Sequence, residues 1–92
     1  MIFLITYDLK KPGRDYSSLY ETIKSAKSWW HYLDSTWLIY SNETVTVNEW
    51  SEKIRNVIDA NDLFLIVDIT NQPRQGWLKK QAWEWIREKE QL

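Results

Sequence analysis

Asp8 ends the run Ile2-Phe3-Leu4-Ile5-Thr6-Tyr7, and Leu9, Lys10, Lys11, Pro12, Gly13 and Arg14 follow at once. A carboxylate at the end of an apolar strand stands on a rigid base beside a movable loop, which suits a metal ligand. Mg²⁺ or Mn²⁺ wants six oxygen ligands and usually takes more than one carboxylate, so a two-fold axis bringing in a second Asp8 would complete the site. Asp34 and Asp68 are further strand acids that could assist. The structural alternative is that Asp8 caps the loop by accepting backbone N–H groups of residues 10–11. Lys10, Lys11 and Arg14 can meet phosphate, with the arginine forking onto it, or form a solvated basic turn.

His31 has the side chain best suited to proton transfer near neutral pH and is a candidate general base for phosphodiester cleavage. A Ser35-His31-Asp triad with Asp8 or Asp34 can be drawn, but no strand–turn–helix elbow presents the serine. Trp29, Trp30 and Trp37 can stack bases if they lie on strands. Alternation puts Trp29 and His31 on one face and Trp30 with Tyr32 on the other, so only part of the set can share a platform. Core and dimer packing is the competing role. Trp77, with Trp83 and Trp85, lies in a last amphipathic segment that either covers the sheet or meets a partner.

The elements that must position these groups follow from pattern and punctuation. Residues 2–9 read as a strand, and Pro12-Gly13 as a type II turn with glycine at positive φ. Asp15 can cap a helix running to about residue 27, with Leu19, Ile23 and Ala26 on one stripe. Residues 29–41 are too rich in aromatic and β-forming side chains for a helix and too long for one strand, so two strands meet at Asp34-Ser35. Residues 42–46 are a polar connection, and Thr46 with Glu49 forms a capping box opening a helix that stops near residue 59. Residues 63–70 form another strand, interrupted by Asp68, and residues 77–91 a last helix with Leu78, Ala82, Trp85 and Ile86 inward and Trp77 and Trp83 off the stripe.

Ninety-two residues make one domain, 1–92, with a core over 1–70 and a terminal helix over about 77–91. So short a chain has a thin core, which favours oligomerisation. A net charge of −1 gives no global pull toward nucleic acid or an anionic membrane, so such binding needs a local patch. The absence of cysteine excludes disulfides and thiolate metal sites. Without a signal peptide or a membrane-length apolar run, a cytoplasmic location with no membrane partner is expected. The order β-α-β-β-α-β followed by α predicts an α+β, ferredoxin-like split βαβ fold. Right-handed crossovers put the first strand and the 36–41 strand in the centre. The second sheet face is also apolar and must be covered by the last helix, a second subunit, or both.

Tyr7-Asp8-Leu9, the basic loop after it and Leu33-Asp34-Ser35-Thr36-Trp37-Leu38-Ile39 resemble the small ferredoxin-like subunit of CRISPR adaptation complexes and its relatives among the virulence-associated D toxins. Together with Lys11-Pro12-Gly13, Tyr16 and Trp29-Trp30-His31, they are most similar to small bacterial and phage proteins of the "SinR family". The resemblance covers roughly residues 1–70. It implies two chains packed sheet to sheet, with facing strand-end acids able to hold a divalent metal for phosphodiester hydrolysis, Asp8 in the metal role and the Ser35 bend beside it. It also implies scaffold members without catalysis. A Trp-rich helix stands here where that family has a short strand crossing to its partner. The expected function is a homodimeric module binding nucleic acid or a small linear or cyclic nucleotide, or an adaptor to a protein partner, in a phage–host or mobile-element conflict. The other expectation is a metal-dependent nuclease or phosphodiesterase.

Overall fold

The computed structural model, which describes residues 1–42 and 44–91, runs β1 (Ile2–Asp8), α1 (Ser17–Lys24), β2 (Ser28–Leu33), β3 (Thr36–Tyr40), α2 (Val47–Arg55), β4 (Leu63–Asp68) and α3 (Lys80–Glu90). The strands form one antiparallel sheet in the order β2-β3-β1-β4, so β1 and β3 are central as the crossover argument requires. The chain is an α+β protein: a four-stranded antiparallel sheet with three helices. The polar connection expected over 42–46 lies partly outside the described residues.

The continuous apolar runs arise because both faces of the central strands are covered. Phe3 and Ile5 of β1 join Trp37 and Ile39 of β3 under Leu19 and Ile23 of α1 and Trp50 and Ile54 of α2. On the opposite face Ile2 and Leu38 join Trp30 of β2 under Ala82 and Ile86 of α3. The Trp30 indole N–H donates to the Ala82 carbonyl at 3.1 Å, and that of Trp85 to Ser28 Oγ at 2.9 Å. Two tryptophans thereby tie the terminal helix to β2 while burying ring area and satisfying their N–H groups.

Local chemistry sets the element ends. The Arg14 N–H donates to the Lys11 carbonyl at 3.1 Å around Gly13, whose φ of 81° suits glycine. Thr46 Oγ1 accepts the Glu49 N–H at 3.2 Å, the capping half of the predicted box. At α1 the cap position is Tyr16, one residue later than expected, and the Asp15 carboxylate accepts the Ser17 N–H at 2.9 Å from outside the helix. β4 ends at Asp68 because its carboxylate turns back onto the Thr70 N–H and hydroxyl, at 2.9 and 2.6 Å. α3 begins at Lys80 rather than residue 77. Arg74 of the preceding segment bonds Glu90 and the Ile69 carbonyl, which folds residues 72–78 back against α3 and brings Trp83 into the second cluster.

Between Trp30↔Leu38 and Leu33↔Thr36, β2 advances three residues and β3 two. This bulge carries Leu33 to the α3 side of the sheet, opposite Thr36. α3 covers only the half of that face near Ile2, Trp30 and Leu38. The other half carries Thr6, Asp8, Leu33, Thr36, Leu63 and Leu65, with Leu63 60% and Leu65 58% exposed.

Candidate functional site

Asp8 sits exposed at the open half of the α3-side face. Tyr7 points the other way, its hydroxyl accepting the Trp37 indole N–H at 3.0 Å, so alternation turns Asp8 outward beside Leu63. The Asp8 carboxylate pairs with Lys10 Nζ. It does not take the loop's backbone N–H groups. That capping role belongs to Asp62, only 3% exposed. Asp62 Oδ1 accepts the Lys10 N–H at 2.7 Å and the Tyr16 hydroxyl at 2.9 Å, and Oδ2 accepts the Asp59 N–H at 2.8 Å. Burial pushes the Asp62 carboxyl up, but the two amides, the Tyr16 hydroxyl and the Arg14 charge together hold it below the usual carboxylate range. Burial also raises the Tyr16 phenol, and the hydrogen bond to Asp62 adds to this.

The basic loop is thereby tied to the chain just ahead of β4. Lys11 Nζ and Arg14 each lie 3.4 Å from Asp59 Oδ1. The Asn61 N–H, with Lys11 and Arg14 behind it, keeps Asp59 below the ordinary carboxylate range against the opposing effect of burial. Lys10, Lys11 and Arg14 are all exposed, and each already faces a carboxylate of its own chain.

Trp29 and His31 lie at the opposite sheet edge, on β2, and face the α1 side around Trp37 of β3. Trp37 is the hub, 1% exposed. His31 stacks on it at 3.7 Å with planes 12° apart, Trp29 tilts against it at 5.4 Å, and Tyr20 of α1 stacks at 6.2 Å. Burial raises the Tyr7 phenol that holds the Trp37 indole. The exposed members are Trp29 and His31, with Lys24 Nζ 5.0 Å from the Trp29 ring. Trp30 is buried under α3, meeting Tyr32 edge-on at 5.3 Å, so neither Trp30 nor Trp37 offers a free ring face. Trp77 is wholly exposed ahead of α3.

His31 Nε2 lies 2.9 Å from the Asp34 carbonyl oxygen, within the β2–β3 turn. Ser35 is exposed in that turn, and its carbonyl accepts the Tyr7 N–H at 3.1 Å. His31 and Asp8 therefore project from opposite faces of the sheet and are not brought together. Among the described residues, no three His, Asp or Glu side chains gather as a cation site within one chain.

Asp62 and Asp59 organise the loop that sequence reasoning assigned to Asp8. The available signal was an aspartate directly before an apolar strand, but its partners lie about fifty positions away. The fold and these surfaces define a small α+β protein with one exposed aromatic edge and one half-open sheet face. No family model, no curated protein and no solved structure matches the chain. Among the described residues no helix is long and apolar enough to cross a membrane.

Proposed function

We propose that this chain is a non-catalytic, single-strand nucleic-acid-binding module on a ferredoxin-like frame, working as a homodimer. The β-α-β-β-α-β order with β1 and β3 central supports that frame. The observation that carries the function is the β2 edge. Trp29 and His31 keep exposed rings on one face, backed by the buried Trp37, with Lys24 over Trp29. Rigidly backed aromatics beside a cation take stacked bases with little sequence preference. The net charge of −1 fits a local contact of this kind rather than a long electrostatic track. A fluorescein-labelled oligo(dT) or oligo(U) titration followed by anisotropy tests it. Trp29→Ala should weaken binding about tenfold or more, the scale of one lost base stack. Absence of binding by the wild-type chain at low salt refutes the reading.

A second reading is metal-dependent phosphodiester hydrolysis. Its support is the position of Asp8 on the open half-face beside exposed Leu63. A second copy closing that face about a two-fold axis would bring a second Asp8 to the same axis, with Mg²⁺ or Mn²⁺ as the fitting ions. His31 would then serve elsewhere, since it lies across the sheet, while the Ser35 turn stays bonded to Tyr7 beside Asp8.

A further inference from the structure

Resting on the nucleic-acid reading of the β2 edge, we infer that this edge takes two consecutive bases held apart from one another, and so selects pyrimidine-rich single strands over purine-rich ones. The relative tilt of its rings carries the inference. His31 lies 12° from the plane of Trp37 and Trp29 lies 54° from it. The Trp29 and His31 planes therefore differ by at least 42°, the difference of the two angles. One residue separates them on β2, which spaces them roughly 7 Å along the strand, about twice the distance between stacked bases.

Both exposed rings are fixed in these attitudes. His31 has one face on Trp37 at 3.7 Å and its Nε2 2.9 Å from the Asp34 carbonyl oxygen. Trp29 leans on Trp37 at 5.4 Å, with Lys24 Nζ 5.0 Å from its ring. Trp37 is itself held from below, its indole N–H donating to the Tyr7 hydroxyl at 3.0 Å and its ring stacked on Tyr20. Neither exposed ring can turn parallel to the other without leaving the buried indole that backs it. Neighbouring bases of a helical single strand are parallel and close, so a stacked pair seats one base and leaves the second ring empty. Filling both rings requires the step between the bases to open. Opening costs least for thymine and uracil, whose small rings stack weakly, and most for adenine. A single flat platform would reverse this order, because a purine covers more of a ring. Lys24 supplies a cation at the Trp29 end, whereas Lys10, Lys11 and Arg14 already face carboxylates of their own chain.

The test is a pair of anisotropy titrations of the full chain, with fluorescein-labelled oligo(dT) and oligo(dA) of equal length in one low-salt buffer. Oligo(dT) should bind about three- to tenfold more tightly, the scale of one opened base step. Trp29→Ala and His31→Ala, both at exposed positions, should each weaken oligo(dT) and bring the two oligonucleotides to near-equal affinity, because a lone ring takes one base and opens no step. Equal binding of the two by the wild-type chain, or tighter binding of oligo(dA), overturns the inference and leaves the nucleic-acid reading standing. A preference for oligo(dT) that survives both single substitutions overturns it as well. Binding of neither oligonucleotide removes the reading and the inference together. The wild-type comparison decides the matter even if a variant fails to fold.

Discussion

Asp62 shows how one carboxylate can organise a loop for which Asp8 was the candidate cap. It fastens the Lys10 N–H, the Tyr16 hydroxyl and the Asp59 N–H, and so fixes where Lys10, Lys11 and Arg14 can reach. Its carboxyl and that of Asp59 are both held below their ordinary values. The unfolded chain then binds more protons than the folded one at pH below about 4, so the stability these groups confer is present above that pH and lost as pH falls through their folded values. In Asp62→Asn one amide oxygen can still serve Lys10 and Tyr16, but an NH₂ group would face the Asp59 N–H, donor against donor. Thermal melts should show a lower midpoint at neutral pH and a shallower acid limb than wild type; an unchanged neutral midpoint would sink the assignment. The sequence hid this role because Asp62 looks like any turn aspartate until its partner 52 positions away is known. The Thr46 cap was legible because both its atoms lie within one helical turn.

At the scale of elements, the strands and helices were readable from apolar runs, the Thr46–Glu49 pattern and the Asp34-Ser35 break, and all seven appear with shifted ends. Two features were not readable. The β2 bulge depends on register against β3, which no local pattern states, yet it decides that Leu33 faces the α3 side. The start of α3 depends on Arg74 reaching Glu90 across 16 positions, which turns residues 72–78 from helix into the roof of a cavity. α3 matters to stability because it covers the half-face that Ile2, Trp30 and Leu38 would otherwise expose. Ile86 is 4% exposed at the centre of that contact. Ile86→Ala should cost about 2–5 kcal/mol in urea unfolding, a buried large-to-small change in a thin core. A loss under about 1 kcal/mol would mean that α3 rests on the sheet without being part of its core.

For the whole molecule, the open half-face sets the expected assembly. β4 is an edge strand, and Leu63, Leu65 and Val67 stand exposed along one side of it, continuing across Thr6 and Thr36 to Leu33. An exposed apolar strand at a sheet edge is a site for association, and a contiguous apolar surface shared by neighbouring strands marks an interface more than an ordinary surface. A second copy is the occupant that fits the proposed homodimer, since two-fold closure pairs this surface with itself and leaves both β2 aromatic edges outward. Leu65 separates folding from assembly, because at 58% exposure its replacement by a charge leaves the monomer's core intact. Sedimentation at ~100 µM, well above a micromolar dissociation constant, should find a dimer for wild type and a single chain for Leu65→Glu, with matching circular dichroism. Under the catalytic reading, Leu65→Glu would also abolish metal-dependent cleavage together with Asp8→Ala, because each change removes the paired acids. Under the binding reading, Leu65→Glu retains oligonucleotide contact at Trp29 with reduced avidity, since each chain keeps its own aromatic edge. A wild-type chain that sediments as a monomer at that concentration removes the two-fold axis, and with it the pairing by which one exposed aspartate would become a metal site.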